Sequence, residues 1–230
     1  MNTVLERDFV KTQLGEYGLD PSLRLYLPLY MLDGSSFMSR DAYGHKCSVT
    51  GATWGLQGRT FDNMDDVINC GSATVLDNLG TTGNYKFTIV AWINPTSAGE
   101  GNSGRVLDKG GLLFLCMNGG AQVEFLIYVG TVIKFADSAA NSVPFNSWTH
   151  VVGVFNGANA LIYTNCTLVT GSATVGPVDN HSASDLRIGD NLGSNRCFGG
   201  TIGEVKAYDQ IAFTQADVNR DMEATKWRYS

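Results

Sequence analysis

The amino-acid sequence predicts an all-β protein, a sandwich of two antiparallel sheets with one short helix towards the C-terminus. Short segments rich in β-branched and aromatic residues recur along the chain, at the spacing of roughly ten residues that is typical of sandwiches and barrels. Turn-forming pairs such as Asn156-Gly157 and Gly199-Gly200 separate them. No helical pattern lies between successive strands, which excludes a parallel α/β fold because its strands need helical crossovers.

The segments around two tryptophans give the strongest strand signals. Trp92 and Trp148 each stand among β-branched residues. Because side chains alternate between the two faces of a strand, Trp92 shares a face with Val90, and Trp148 shares one with Val152. We interpret both tryptophans as core residues, which makes them poor candidates for a binding site. His150 lies on the face of Trp148 and is interpreted as a hydrogen-bonded core histidine.

The other strands are predicted along the length of the chain. The first, Leu23–Tyr30, contains Pro28 and is expected at a sheet edge. Two turn-rich runs, Thr96–Gly104 and Thr170–Ser184, are predicted as loops at the rim. The remaining strands are predicted at Arg59–Phe61, Val67–Cys70, Lys86–Ile93, Arg105–Lys109, Leu112–Met117, Gln122–Val129, Val132–Ala136, Trp148–Phe155, Ala160–Thr164, Asp185–Gly189 and Gly200–Tyr208.

The helix is predicted from its first turn. Thr214 and Asp217 have the spacing of a capping box, in which each side chain bonds the backbone of the other residue. Val218, Met222 and Ala224 are predicted to face inward. We expect this helix to close one end of the sandwich.

A single domain is predicted over residues 23–230, preceded by an N-terminal arm over residues 1–22. The chain has 230 residues, 43% of them hydrophobic, which is enough for one large all-β core. No shift in composition marks a linker within residues 23–230. The arm is polar and mixed, and we expect it to contact other protein subunits.

The charge and the N-terminal sequence exclude several classes of protein. The formal net charge is −6 and no basic run is present, which argues against nucleic-acid binding. Charged residues interrupt the N-terminal segment, so it does not read as a secretory signal. No apolar stretch is long enough for a membrane span. We therefore expect synthesis in the cytosol and no membrane insertion.

The five cysteines are predicted to be reduced. Five is an odd number, so complete pairing within the chain is impossible. Cys70 and Cys116 stand in apolar strand patterns, where a thiol packs as a small hydrophobic group. Cys166 with Cys197 is the one pair worth testing for a disulfide. The cysteine spacing and the scattered histidines argue against zinc.

Several motifs occur in an order and at a spacing that are typical of a known family. The motifs are Arg59–Asp62, Asp65–Ile68, Phe87–Pro95, Trp148–Val152, Phe155–Gly157, Ala160–Asn165, Leu186–Gly189 and Phe198–Asp209. Together they resemble the laminin G-like branch of the concanavalin A-like lectin/glucanase superfamily, over residues 23–225. The resemblance implies a jelly-roll sandwich, with calcium or a sugar bound in many members at the rim or on the concave face.

The chain departs from the pattern of that family at two positions. The family usually has Asn-Gly after its tyrosine-bearing strand, whereas Cys166 follows Asn165 here. It usually has an aspartate where this chain has Gly203, before Glu204. The missing carboxylate weakens a metal site inferred from the resemblance.

The sequence predicts that the protein is not an enzyme. Glucanases of the resembled superfamily carry a Glu-x-Asp-x-x-Glu string, so that two carboxyl groups flank the sugar. No such string occurs here, and no two of the six glutamates lie within five residues of each other. Glu124 lies on a predicted strand and is interpreted as a solvated surface carboxylate.

One turn is rich in side chains that carry oxygen. Asp62, Asn63, Asp65 and Asp66 could supply ligands to Ca²⁺, a cation that takes six to eight oxygens, with Glu204 completing the site. The alternative is an Asp/Asn-rich turn whose side chains bond their own backbone. Both interpretations stay open from the sequence.

Sugar binding would need an aromatic platform, because a pyranose has an apolar face ringed by hydroxyls. Tyr43, Trp54, Tyr128 and Trp227 lie outside the strongest core patterns and are the candidate platforms.

The predicted function is that of a non-catalytic binding or assembly module. The arm, the compact sandwich and the absence of an export signal favour a surface or decoration protein of a virus particle, by analogy with phages, with a capacity to bind glycans. Such a protein would form a homo-oligomer or part of a larger assembly. The alternative is an extracellular, lectin-like carbohydrate-binding or adhesion domain, and a glycoside hydrolase is a distant third.

Overall fold

The computed structural model describes residues 20–111, 113–180, 182 and 184–230, which form two antiparallel sheets of eight strands each. This confirms the predicted two-sheet sandwich. Residues 1–19, most of the predicted arm, lie outside the described residues. The strands in chain order are β1 (Leu23–Pro28), β2 (Ser36–Met38), β3 (Lys46–Thr50), β4 (Thr53–Gly55), β5 (Gly58–Asp62), β6 (Val67–Asn69), β7 (Phe87–Pro95), β8 (Arg105–Lys109), β9 (Leu113–Asn118), β10 (Gln122–Val129), β11 (Val132–Asp137), β12 (Thr149–Phe155), β13 (Asn159–Thr164), β14 (Thr167–Ala173), β15 (Leu186–Ile188) and β16 (Gly199–Asp209).

The two sheets have the interleaved strand orders of a jelly roll. The first sheet runs β14-β13-β12-β7-β16-β5-β4, and β1 also pairs with β16. The second sheet runs β11-β10-β9-β8-β15-β6-β3-β2. Strand β16 is the longest, with 11 residues, and it pairs with β7 along one side and with β5 and β1 along the other.

The main core lies between the sheets. Strand β7 contributes Phe87, Ile89, Ala91 and Ile93, and facing strands contribute residues such as Phe125. Gly153 lies beneath that phenylalanine, because a Cβ at this position would come within 2.5 Å of its ring. Alternate residues of β7 therefore point between the sheets, as its period of two requires.

The other residues of β7 and β12 are also buried, because a helix covers the outer face of the first sheet. The helix α2 (Gln215–Thr225) packs its Val218 against a second apolar cluster that contains Val90, Val152 and Tyr208. Two short helical turns lie elsewhere, at Glu100–Asn102 and Lys226–Arg228, and a one-turn helix α1 spans Thr74–Asp77. The first sheet thus separates two cores, which explains why β12 is buried along its whole length.

The structure confirms the predicted start of helix α2. The predicted position of the helix and the inward orientation of Ala224 are wrong. Thr214 and Asp217 form the capping box, with each side chain bonded to the other residue's backbone. Val218 is buried, whereas Ala224 is exposed; Asp221 and Thr225 take the inward positions instead. The helix covers the outer face of the first sheet and does not close an end of the sandwich.

Four strands were not predicted, and all four have weak apolar patterns. Strands β2, β3 and β4 are short, and β14 occupies the start of the run predicted as the loop Thr170–Ser184. Most of β14 is exposed, since it is the edge strand of the first sheet. An exposed edge strand needs no alternation of apolar and polar residues. The alternation from which a strand is predicted is therefore absent from β14.

The first departure from the family pattern lies in the turn between β13 and β14. Asn165 and Cys166 have φ angles of 45° and 66°, the left-handed values that a two-residue type I′ hairpin turn requires. Glycine suits the second of these positions, and Cys166 adopts the strained conformation in its place. The Cys166 Sγ lies 3.2 Å from Met222 Sδ.

All five cysteines are free, as predicted. Cys197 is buried, and its Sγ lies 3.5 Å from the backbone oxygen of Asp66, whereas Cys166 contacts the helix α2. The structure therefore shows no bond for the Cys166–Cys197 pair.

The second departure, at Gly203, has a steric cause. The Tyr229 ring lies directly on this glycine, so that a Cβ there would come within 2.3 Å of the Tyr229 Cε1 and 2.7 Å of its hydroxyl oxygen. Gly203 is also the irregular residue in the pairing of β16 with β7. The side chain of an aspartate would occupy the volume that Tyr229 fills.

We predict that Gly203→Ala destabilises the protein by about 1–3 kcal/mol, the range typical of overpacking. The same substitution in a Tyr229→Ala background should cost much less, because the ring that it strikes is gone. Urea unfolding of the four proteins of this double-mutant cycle measures the difference. An equal cost in both backgrounds would show that the tyrosine is not the reason for the glycine.

Candidate functional site

A pocket of about 530 Å³ opens beside the C-terminal end of α2, on the outer face of the first sheet. Strand β7, the turn before β12, the β13–β14 turn and the segment after α2 all contribute to it. The lining combines aromatic rings with polar side chains, which is the general composition of a ligand site. The lining residues are Trp92, Trp148, Asn165, Met222, Glu223, Lys226, Trp227, Tyr229 and Ser230.

Trp227 is the exposed ring of this pocket, with 68% of its surface accessible. Its Nε1 donates a hydrogen bond to the Ala224 backbone oxygen at 3.1 Å, which holds the indole against the end of α2. The guanidinium of Arg228 lies 4.5 Å from the indole ring centre and covers it as a cation–π partner. Of the four platforms predicted from the sequence, Trp227 lines the pocket.

Trp92 is buried, as predicted for a core residue, and Trp148 is half-buried, but neither side chain lies between the two sheets. Both project from the outer face of the first sheet, and Tyr229 lies between them, stacked on Trp92 at 4.7 Å between ring centres and tilted against Trp148 at 4.6 Å. Trp92 is 4% exposed and its Nε1 donates to Thr225 Oγ1 at 2.8 Å. Both tryptophans are walls of the pocket, so they belong to the candidate site.

Buried charges fix α2 beneath this pocket. Asp221 accepts a hydrogen bond from His150 Nε2 at 3.0 Å and one from Lys206 Nζ at 2.7 Å. Burial alone would raise the pKa of Asp221, but Lys206 and His150 outweigh burial and hold that pKa well below its usual range. The prediction that His150 is a hydrogen-bonded core histidine is confirmed by this contact.

Glu204 belongs to this charge cluster and not to the predicted metal turn. It is fully buried, pairs in register with Trp92, and has Lys206 Nζ 3.0 Å from its Oε1 and Arg228 at 3.6 Å from its Oε2. Strand β16 meets the metal turn at its first residue, Gly199, opposite Asp62, five positions before Glu204. The assignment of Glu204 as a fifth calcium ligand is therefore wrong, because its carboxylate neutralises Lys206 on the outer face.

The three other predicted platforms lie outside the pocket. Tyr43 is 40% exposed and its hydroxyl accepts a hydrogen bond from Arg24. Trp54 is equally exposed on β4 and donates to the Tyr30 backbone oxygen. Tyr128 is half-buried on the second sheet, where it packs with Leu126. The structure thus places the four predicted rings in separate surroundings.

The turn after β5 brings three carboxylates together. Ligand oxygens of Asp62, Asp65 and Asp66 all lie within 4.8 Å of one another. The Asp62 Oδ1 also accepts from the backbone of Met64 at 2.8 Å, and Asp66 Oδ2 accepts from the backbone of Asp62 at 2.8 Å. The turn therefore has both properties predicted for it, a cluster of hard oxygen ligands and side chains that bond their own backbone.

The donor set of this turn fits a calcium ion. Burial, followed by the charges of Asp62 and Asp65, raises the pKa of Asp66, while the backbone hydrogen bond from Asp62 opposes the rise. A divalent cation would remove the repulsion between the three carboxylates. Asn63 has a left-handed φ of 72°, and its Oδ1 accepts from Ser97 Oγ at 3.3 Å, so its amide lies at the same turn.

Glu124 is half-buried on β10 and is not the solvated surface carboxylate predicted from the sequence. It lies directly opposite Asp137 on the neighbouring strand, in the β10–β11 register. Burial, and then the charge of Asp137, raises the pKa of Glu124, with Arg105 opposing the rise. The pairing of neighbouring strands brings such carboxylates opposite each other, and the spacing of glutamates along the sequence does not reveal this.

Several residues of the pocket had no signal in the sequence. These residues are Asn165, Glu223 and Lys226, which come from a hairpin turn and the C-terminal end of α2 and meet only because α2 folds back over the first sheet. Glu223 Oε2 and Lys226 Nζ lie 2.6 Å apart at the mouth of the pocket. The one available signal was the aromatic pair Trp227 and Tyr229 directly after the predicted helix.

Comparison with protein families identifies the superfamily. A laminin G family model, described as concanavalin A-like lectin/glucanases superfamily, matches residues 69–219. The chain belongs to the concanavalin A-like lectin/glucanases superfamily. No curated protein matches the chain. The family model covers the tryptophan strands β7 and β12 and the first part of α2, which confirms the resemblance drawn from the sequence.

Solved structures share the fold at low sequence identity. The binding domain of botulinum neurotoxin serotype D is 14% identical with a TM-score of 0.62, over 89% of this chain and 52% of that one. The binding domain of Paraclostridial Mosquitocidal Protein 1 is 12% identical with a TM-score of 0.64, over 88% and 52%. Trypanosoma rangeli sialidase is 16% identical with a TM-score of 0.62, over 87% and 33%. The chain thus spans about half of the two binding domains and about a third of the sialidase.

Among the described residues, neither α1 nor α2 is long and apolar enough to cross a membrane.

We predict that Asp221→Asn destabilises the protein by about 3 kcal/mol, since it breaks a buried charge pair. The pKa of Asp221 is lower in the folded protein than the value near 3.8 expected for the unfolded chain. The Asp221 carboxylate therefore stabilises the fold fully above that unfolded pKa, and this stabilisation is lost as the pH falls from there through the folded pKa. The cost of the substitution should therefore shrink in acid. Denaturant unfolding of wild type and variant at pH 7 and pH 3 measures both effects.

Glu223→Gln is the control for this experiment, because it removes an exposed ion pair from the same helix. It should change the free energy of unfolding by less than about 1 kcal/mol. If Asp221→Asn were as mild as this control at pH 7, the proposed anchoring role of Asp221 would be wrong.

We predict that calcium raises the melting temperature through the turn after β5. A site with a dissociation constant near 1 mM would add about 1.4 kcal/mol of stability at 10 mM calcium. Asp65→Asn should abolish the shift, whereas Asp33→Asn, a change of an exposed aspartate outside the turn, should preserve it. No shift in the wild type at 10 mM calcium would leave the backbone-bonded turn as the whole explanation of these residues.

Proposed function

We propose that this domain is a non-catalytic carbohydrate-binding module whose sugar site is the pocket beside α2. The observation that carries the proposal is Trp227, an indole that is 68% exposed at a pocket also lined by Glu223, Lys226 and Asn165. An exposed indole beside hydrogen-bonding side chains matches a pyranose, which has an apolar face and a ring of hydroxyls.

The absence of a second pocket carboxylate supports a non-catalytic role. Among the described residues that line the pocket, Glu223 is the only acidic side chain, and it is paired with Lys226. Glycoside hydrolysis uses two carboxyl groups that flank the scissile bond. The pocket therefore has the groups to hold a sugar but lacks the pair to cleave it.

The comparisons support the proposal at the level of the fold. The superfamily is named for lectins as well as glucanases, two of the similar structures are called binding domains, and the third is a sialidase. Two roles remain predictions from the sequence: a surface or decoration protein of a virus particle, joined to other subunits by residues 1–22, and an extracellular adhesion domain. Glycan binding is compatible with both.

We predict that Trp227→Ala weakens glycan binding by about tenfold or more, since it removes the stacking surface. A glycan array identifies a ligand for the wild type, and titration calorimetry then measures the variants. Trp227→Phe should retain part of the affinity because it keeps an aromatic face. Tyr43→Ala, which removes an exposed ring outside the pocket, should bind as the wild type does; equal binding by Trp227→Ala would place the sugar site elsewhere.

A further inference from the structure

We infer that the pocket binds the terminal ring of a neutral glycan, and not an internal stretch of a polysaccharide or an acidic glycan. This inference rests on the proposed function and adds to it the class of sugar. It follows from three properties of the pocket: the number of open aromatic faces, the filling of the inner aromatic wall, and the charge of the lining.

A single aromatic face is open to a ligand at Trp227. The Arg228 guanidinium, 4.5 Å from the indole ring centre, covers one face and also lies 4.7 Å from the Tyr30 ring centre. Arg228 does not line the pocket, so the side of the indole that faces the pocket is the side away from the Arg228 guanidinium. The Trp227 Nε1 hydrogen bond to Ala224 fixes the ring in this orientation. One fixed, open face stacks one pyranose.

The inner aromatic wall offers no second platform. Tyr229 fills the space between Trp92 and Trp148, with ring centres 4.7 and 4.6 Å away, and it rests on Gly203. Trp92 and Tyr229 are only 4% and 5% exposed, and Trp148 is half-buried. A polysaccharide bound along its length stacks several rings on several platforms. In this pocket, the sugar rings beyond the first must extend into solvent.

The polar groups at the mouth suit the hydroxyls of one ring. Glu223 and Lys226 are exposed and 2.6 Å apart, so they present an acceptor and a donor side by side to neighbouring hydroxyls. Asn165 Oδ1 accepts from the His150 backbone at 2.9 Å, which directs the amide nitrogen of Asn165 as the donor for a ligand.

The charge of the lining favours a neutral sugar. Lys226 is the only basic side chain among the described residues that line the pocket, and Glu223 balances it. The whole chain has a formal net charge of −6, which repels sulfated and carboxylated polymers. An acidic glycan would have to displace the glutamate from its lysine, because no other described residue of the lining carries a positive charge.

The test compares short and long probes on the intact protein. Titration calorimetry uses methyl glycosides of glucose, galactose, mannose and N-acetylglucosamine, neutral oligosaccharides that end in each of these sugars, and heparin. We expect one methyl glycoside to bind within about tenfold of its oligosaccharide, because one ring makes most of the contacts. Heparin should not bind. Trp227→Ala should remove binding of both the glycoside and the oligosaccharide.

Two substitutions test the polar contacts. Glu223→Gln and Lys226→Gln each should weaken binding of the methyl glycoside by about tenfold, the effect of losing one hydrogen bond to a charged group. Both sites are exposed, so circular dichroism and the melting temperature should match the wild type.

The outcomes separate this inference from the proposed function. Binding of long oligosaccharides without any methyl glycoside would overturn the terminal-ring inference and preserve the carbohydrate-binding function. Binding of heparin that Lys226→Gln abolishes would overturn the preference for neutral sugars alone. If no probe binds, and a glycan array is also negative, the carbohydrate-binding function itself is wrong.

Discussion

The docking of α2 onto the first sheet is the interaction on which the candidate site depends. Asp221 reaches from the helix to Lys206 and His150, two charged or polar groups on a sheet face that also carries a cluster of valines, leucines and tyrosines. Burial of the apolar residues supplies most of the favourable free energy. The charge cluster supplies orientation, because a shift of the helix would leave Lys206 and Glu204 buried without the Asp221 carboxylate.

This docking creates the pocket as a consequence. The chain leaves α2 through the turn Lys226–Arg228, which places Trp227 at the surface and returns Tyr229 to the sheet. Gly203 allows this return, because only a residue without a Cβ leaves room for the tyrosine ring. The two departures from the family pattern, at Cys166 and Gly203, therefore lie against α2 and the segment that follows it.

Much of the fold follows from local sequence, whereas little of the site does. The strands around Trp92 and Trp148, and the capping box of Thr214, were predicted because local pattern and turn chemistry set them. Strand β14 was missed because an exposed edge strand has no buried face to record in the sequence. Trp227 was identified as a platform, but Glu223 and Lys226 were not, since a charged pair on a helix end occurs on most solvated helices.

The sequence by itself determined the fold class, the order of most strands, the start of the helix and the superfamily. Only the tertiary structure decided which side of each strand carries the function. Alternation shows that Val90 and Trp92 share a face, but it does not show whether that face lies between the sheets or beneath α2, because both faces of this sheet are buried. The pocket joins residues from positions 92 to 230, and only the folded chain brings them within reach of one ligand.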